Sequence, residues 1–117
     1  MKRTLVFCVA GLVFLASSQS AAVLSPQNIA SSIDSQRALV NQYCAGCHND
    51  KLKSGGFSWT EVDLAQPERD AARIEKVIRK VRAGMMPPAG SPRPDAPALK
   101  AFASALETRV DLAASLG

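Results

Sequence analysis

Residues 44–48 read Cys-Ala-Gly-Cys-His, and they hold two of the three cysteines and the only histidine in a chain of 117 residues. Three chemistries place cysteines at this interval: a dithiol/disulfide redox pair, half of a zinc site, and the thioether attachment of a c-type haem. Only the third also requires a histidine directly after the second cysteine. A chain this short holds at most one domain, and its core is small enough to benefit from a metal or cofactor as a staple. The motif therefore constrains the fold as well as the chemistry.

The first segment is expected to stand outside that domain. "MKRTLVFCVAGLVFLASSQSAA" runs from the basic Lys2 and Arg3 through an apolar stretch, Leu5 to Ala16, to small polar residues. This is the order of a secretory signal peptide, and the stretch is shorter than the ~20 apolar residues of a membrane-spanning helix. Cleavage after Ala22 gives a leader at 1–22 and a domain at 23–117, with Ser18 as the second choice of site. A retained anchor fits less well. Lipid modification at Cys8 fits least, because that cysteine lies mid-run behind the bulky Phe7. Loss of Lys2 and Arg3 lowers the formal charge from +4 to +2. So small an excess, with few aromatic residues, argues against a nucleic-acid partner. Nothing in the remaining chain requires a membrane. Export to a bacterial periplasm is the expected location. That compartment permits disulfides, but a Cys44–Cys47 bridge would close too small a loop to stabilise much.

Three helical segments follow from period and punctuation. The first is predicted from Ser32 or Asp34 to Cys47, with Ile33, Val40 and Tyr43 facing inward and Ala38 allowing close approach. "NDKLKSGGFSW" then reads as a loop, with Gly55 and Gly56 at its sharp turn. The second helix opens at Pro67 with Glu68 and Asp70, repeats Ile74, Val77, Ile78 and Val81 on one face, and ends at Gly84. Five prolines in residues 85–97, "MMPPAGSPRPDAP", exclude regular structure there. Asp95 is expected to cap a third helix that buries Leu99, Phe102, Leu106, Val110 and Ala113. With no alternating pattern or repeat anywhere, the class is all-α.

On a helix, Cys44 and Cys47 would share a face, so that two thiols reach the two vinyl groups of one haem edge while His48 turns toward the iron. Zinc needs four ligands and the motif supplies three, with no other cysteine or histidine in the predicted mature chain. A thioredoxin-like pair expects strands around a motif that opens a helix, and here it closes one. One covalently attached haem c is accordingly the preferred cofactor. For the second axial position only Met85 and Met86 offer a thioether. Met86 is the better candidate, since Pro87 holds it extended and away from the preceding helix. Met85 is then expected to pack in the core. His/Met ligation favours reduced iron and raises the potential. A five-coordinate iron, with both methionines in the core, is the alternative.

"YCAGCH", then "GMMPP", then a final amphipathic helix resembles a class I c-type cytochrome. The runs "CAGCHNDKLKSGG" and "KVIRKVRAGMMPPAGSPRP" are similar to the planctomycete-type cytochrome c domain, which commonly begins much longer secreted proteins. The resemblance covers about Leu39 to Ala114. It implies a small fold of about three main helices around one haem, thioethers at Cys44 and Cys47, His48 as proximal ligand and Met86 as distal ligand. One departure is plain. Many class I cytochromes place a proline soon after the motif, whose carbonyl accepts the imidazole N–H, and none occurs here between His48 and Pro67. A carbonyl within Asn49–Gly56 is expected to serve instead.

Three further features are weaker. Trp59 is expected in the core, with a haem propionate as the other use of its indole N–H. Arg93 is expected in solvent, with a propionate again the alternative. Arg69, Arg73, Lys76 and Lys80, flanked by Arg79 and Arg82, form either a solvated helix face or a dock for an acidic redox protein such as a dehydrogenase, an oxidase or another cytochrome. The expected function is an electron carrier, or the electron-transfer subunit of a redox system, with no substrate chemistry of its own. The alternative is a haem enzyme or ligand sensor of the peroxidase kind. That would need an open iron and a distal histidine or arginine, whereas the chain has no second histidine.

Overall fold

The computed structural model describes residues 32–117, so the leader expected at 1–22 lies outside the described residues. Three α-helices carry the fold: α1 (Ile33–Tyr43), α2 (Ala71–Arg82) and α3 (Ala96–Leu116), with short 3-10 turns at Ser54–Gly56, Trp59–Glu61 and Pro67–Asp70. There is no strand among the described residues, and the class is all-α as expected.

Each helix begins where its capping chemistry allows. The Ser32 hydroxyl accepts the Ser35 N–H at the start of α1, and the Asp95 carboxylate accepts the Ala98 N–H at 2.7 Å at the start of α3. Each side chain satisfies one of the N–H groups that a first turn leaves without an intrahelical partner. Pro67 opens a single 3-10 turn that leads directly into α2, where its missing N–H is no loss. Gly84, at φ 72°, turns the chain out of α2, and its N–H donates to the Val81 carbonyl at 3.0 Å.

The core lies where α2 packs on α3, and α1 reaches it through Val40. Ile74 and Ile78 from α2 meet Phe102, Leu106 and Val110 from α3, with Val40, Trp59 and Leu64 completing the cluster. The i, i+4 spacing of these residues reproduces the stripes expected from sequence. Val77, Val81, Leu99 and Ala113 sit at the half-buried margin. On α1, Val40 is buried as expected and Ile33 and Tyr43 are half-buried. Ala38, expected at a close approach, is exposed, while the buried position nearby belongs to Gln36. Trp59 joins the core as expected, its ring centroid 6.0 Å from that of Phe102.

Candidate functional site

The helix predicted to carry the cysteine motif stops at Tyr43, and Cys44 to Cys47 form a succession of turns. The Val40 carbonyl accepts both the Cys44 N–H (2.9 Å) and the Ala45 N–H (2.8 Å), and the Cys44 carbonyl accepts both the Cys47 N–H (3.2 Å) and the His48 N–H (3.0 Å). The Ala45 bond spans five residues and the Cys47 bond three, so the chain leaves the regular i, i+4 register of the helix. The interval of three between the cysteines suits this turn as well as it suits a helix, so spacing alone does not locate the helix end. Val40 is itself in the core, so the motif hangs from a buried residue.

The two thiols differ in setting. Cys44 packs against the core, and burial pushes its thiol up to about 11, whereas Cys47 is exposed. A redox-active dithiol needs a thiol that ionises readily. Cys44 is the opposite case. Among the described residues no three His, Cys, Asp or Glu side chains converge as ligands of a metal ion.

His48 is half-buried. Its carbonyl accepts the Trp59 N–H at 3.0 Å, and its ring meets Phe57 edge-on, centroids 5.4 Å apart. Nδ1 is buried and has no hydrogen-bond partner. The carbonyl expected to serve it from Asn49–Gly56 does not do so, and three carbonyls of that stretch accept backbone N–H groups in local turns. Asn49 accepts the Lys53 N–H (2.8 Å), Lys53 accepts the Gly56 N–H (2.7 Å), and Ser54 accepts the Phe57 N–H (3.4 Å). An imidazole with Nδ1 enclosed by protein leaves Nε2 as the nitrogen that could bind a metal. That arrangement, beside two thiols on one turn, fits a haem attached through the thiols with the imidazole on its iron.

Two polar residues directly after the motif matter to the site without standing out in the sequence. The Asn49 side chain bonds to four backbone groups on both sides of itself. The Asp50 carboxylate accepts hydroxyl protons from Ser58 (2.8 Å) and from Thr60, which holds its pKa below the usual carboxylate value, Thr60 contributing most. Ser58 is fully buried, and its satisfied hydroxyl fixes the turn that delivers Trp59 to the core. The signals that sequence offers for them are an asparagine at a turn and an Asp/Ser/Thr cluster around a Gly-Gly bend.

The second candidate ligand belongs to the loop after α2. The Lys80 carbonyl accepts the N–H of Met85 (2.9 Å) and of Met86 (3.3 Å). The expected packing of Met85 in the core is corrected here: it is 54 % exposed, because the left-handed turn at Gly84 brings it back over the outer face of α2. Met86 is half-buried, followed by the buried Pro87. Arg93 is exposed, as expected, and its guanidinium donates to the Gly84 carbonyl at 3.2 Å, tying the loop across its base.

The basic face of α2 is partly neutralised. Arg73 pairs with Glu61 (2.9 Å) and Asp70 (3.2 Å), Arg82 with Glu107, and Arg79 more loosely with Glu75 (3.8 Å). Lys76 and Lys80 have no acidic partner within the described residues. With Arg79, Ala83 and Met85 they line a shallow groove of about 280 Å³. A wider groove of about 870 Å³, bordered by Ile33, Gln36 and the small residues of α3, includes no residue of the cysteine motif.

A short all-α domain in which a Cys-x-x-Cys-His turn hangs from the core belongs among the class I c-type cytochromes. The comparison with known families narrows this. Residues 31–103 match the family described as cytochrome c oxidase, cbb3-type, subunit III, and the chain belongs to that family. No curated protein and no solved structure matches it. A cytochrome c domain of this type carries covalently bound haem c and serves haem-based electron transfer, which suits a carrier or a subunit of an oxidoreductase.

Proposed function

We propose that the protein is an exported monohaem cytochrome c, acting as an electron carrier or as the electron-transfer subunit of a redox system. Cys44 and Cys47 form the two thioethers, His48 is the proximal ligand and Met86 the distal one. The observation that carries this reading is the turn that joins all three motif residues through the Cys44 carbonyl, with His48 Nδ1 enclosed by protein. When bound, the haem supplies an iron that gains and loses one electron.

The chain's own residues prepare and tune that site. Val40, buried, anchors the turn from which both thiols project. His48 is held by its backbone bond to Trp59 and by the Phe57 ring, so its orientation does not depend on a side-chain hydrogen bond. Phe57, Trp59 and Phe102 continue inward as a series of edge-on and tilted ring contacts, which excludes water behind the imidazole. Met86, placed by Lys80 and followed by the buried Pro87, presents a thioether from a loop with little freedom. A neutral sulfur donor favours the reduced iron.

Lys76, Arg79 and Lys80 around the exposed Met85 suit an acidic redox partner, such as an oxidase, a dehydrogenase or another cytochrome. The family name, an oxidase subunit, supports a partner of that kind. The basic, apolar and small-polar order of residues 1–22 supports export to the periplasm, with 23–117 as the working domain. The runs around Cys44 and Met86 support closer kinship with the planctomycete-type domain.

The test is an absorption spectrum of the protein from the periplasm of a host that matures c-type cytochromes, oxidised and reduced, with haem staining after denaturing electrophoresis. Covalent haem, low-spin bands and the weak near-infrared sulfur-to-iron band are expected. Haem lost on denaturation, or a high-spin ferric spectrum, would overturn the attachment or the ligand assignment respectively.

A further inference from the structure

The attachment motif is extended by one residue. We infer that Asn49 is a positioning residue for haem attachment, acting through the peptide groups that lie between the two cysteines. The inference rests on the attachment of haem at Cys44 and Cys47 proposed above.

The Asn49 carboxamide donates through Nδ2 to the carbonyls of Ala45 (2.8 Å) and Gly46 (3.1 Å), the two residues enclosed by the cysteines. Its Oδ1 accepts the N–H groups of Lys51 and Leu52, both at 3.0 Å. Both donors and both acceptor sites of one side chain are therefore used, and all four partners are backbone. The main chain of Asn49 adds a fifth link, its carbonyl accepting the Lys53 N–H at 2.8 Å.

The placement of these bonds gives them their consequence. Ala45 and Gly46 contribute the carbonyls whose peptide planes set how the chain enters Cys47, and so where Sγ of Cys47 stands relative to Sγ of Cys44. Nothing lies within 4 Å of where a Cβ on Gly46 would be, so side-chain packing does not hold that residue. Glycine is also the residue with the most backbone freedom to lose. The turn's own backbone bonds hold the Ala45 and Cys47 N–H groups, and the Asn49 amide holds the two carbonyls between the cysteines. The acceptor half of the same group holds the beginning of the loop that carries Phe57 to His48. One side chain thus couples thiol spacing to the seat of the imidazole.

Other side chains at this position fail for identifiable reasons. Aspartate keeps the acceptors for Lys51 and Leu52 but has no donor for Ala45 and Gly46, and it sets a negative charge against two carbonyl oxygens. Alanine removes both halves. Glutamine has the right groups on a stem one methylene too long for contacts this local.

The experiment compares wild type, Asn49→Asp, Asn49→Ala and the exposed control Asn41→Ala, all produced with the haem-maturation apparatus. The readouts are thioether number, from the mass of the haem peptide and the red shift of the reduced pyridine haemochrome when one vinyl group stays unreacted, together with reduction potential and thermal midpoint. Asn49→Ala is expected to lower doubly attached holoprotein on the order of tenfold, in line with the usual cost of removing a supporting partner from a metal ligand set. Asn49→Asp should accumulate, keep its loop and show singly attached haem and a displaced potential. The control should match wild type. Two thioethers and an unchanged potential in Asn49→Asp would overturn the inference, even if the melting point fell, since that is the pattern of a residue that only stabilises. If Asn49→Ala does not accumulate, Asn49→Asp alone decides. Absence of covalent haem in wild type would overturn the attachment reading itself, an outcome distinct from a wild type that is normal beside indifferent Asn49 variants.

Discussion

The His48 imidazole stands edge-on to the Phe57 ring, with centroids 5.4 Å apart and planes inclined at 61°. Phe57 in turn meets Trp59 edge-on at 5.0 Å, so the ring that orients the histidine is itself held from the core. A hydrogen bond from Nδ1 would both fix the ring and make the ligand more basic. Here Nδ1 has no such bond, and the residue is held by the Phe57 ring together with the backbone bond from Trp59. Phe57→Leu should therefore cost about 1 kcal/mol, the scale of an aromatic pair. Because the imidazole gains rotational freedom, it should also broaden the low-spin bands or displace the potential. Chemical denaturation and a redox titration of the holoprotein check this. A variant with lowered stability but unaltered spectrum and potential would mean that Phe57 packs without orienting His48.

The helical stripes are legible in the sequence because burial repeats with the helix. Ile74 and Ile78, or Phe102, Leu106 and Val110, lie inward for the same reason that they are spaced as they are. The Asp95 cap is legible because its chemistry is local. The end of α1 is not, since an interval of three between Cys44 and Cys47 satisfies a helix and a pair of turns equally. Nor is the outward position of Met85, which depends on the direction the chain takes after Gly84 and on which face of α2 it returns to. Asn49 and Phe57 escape the sequence pattern for a related reason. Their partners are backbone groups and a pair of aromatic rings, and no periodicity marks such contacts.

Removal of one thiol should leave a singly attached haem, in either Cys44→Ala or Cys47→Ala. The double variant should lose covalent haem and much of the folded domain, because a core of this size leans on its cofactor. Cys44→Ala should be the more destabilising single change, since Cys44 packs against the core and Cys47 is exposed. Haem staining and thermal melts measure the two effects. Haem signal retained by the double variant would sink the thioether assignment.

Glu61 joins the loop after the motif to α2, bonding Lys53 at 2.6 Å and Arg73 at 2.9 Å. The Lys53 hydrogen bond and charge, then those of Arg73, hold its carboxyl below the ordinary value. A depressed carboxyl stabilises the fold above its unfolded pKa, near 4.3 for glutamate, and that contribution disappears as pH falls through the lower folded value. Lys53, raised chiefly by its bond to Glu61, behaves inversely, stabilising below its unfolded pKa and losing that contribution as pH climbs through the folded one. The thermal midpoint should thus be insensitive to this network from about pH 6 to 9, fall on the acid side below about 4.3, and fall again in strong alkali. Glu61→Gln should flatten both limbs slightly, the groups being at the surface. Melting curves across pH for the two proteins decide, and identical slopes would remove Glu61 from the account.

The adjacent methionines give the sharpest separation. Met86 is half-buried before the buried Pro87, and Met85 is 54 % exposed beside Lys76 and Lys80. If Met86 is the distal ligand, Met86→Ala should open the iron, giving a high-spin or water-ligated ferric form, loss of the near-infrared sulfur band and a lower potential. Met85→Ala should leave all three unchanged. Its exposure also limits the stability cost to under about 1 kcal/mol, below the roughly 2–5 kcal/mol typical of a truncated core methionine. If the groove of Lys76, Lys80 and Met85 docks the redox partner, Met85→Ala should lower partner affinity and the two lysines should set its salt dependence. Ferric spectra and redox titrations of both variants beside wild type are the measurement. A sulfur band lost in Met85→Ala and kept in Met86→Ala would reverse the assignment. A wild type with no such band would favour an open iron and the chemistry of a ligand sensor or enzyme.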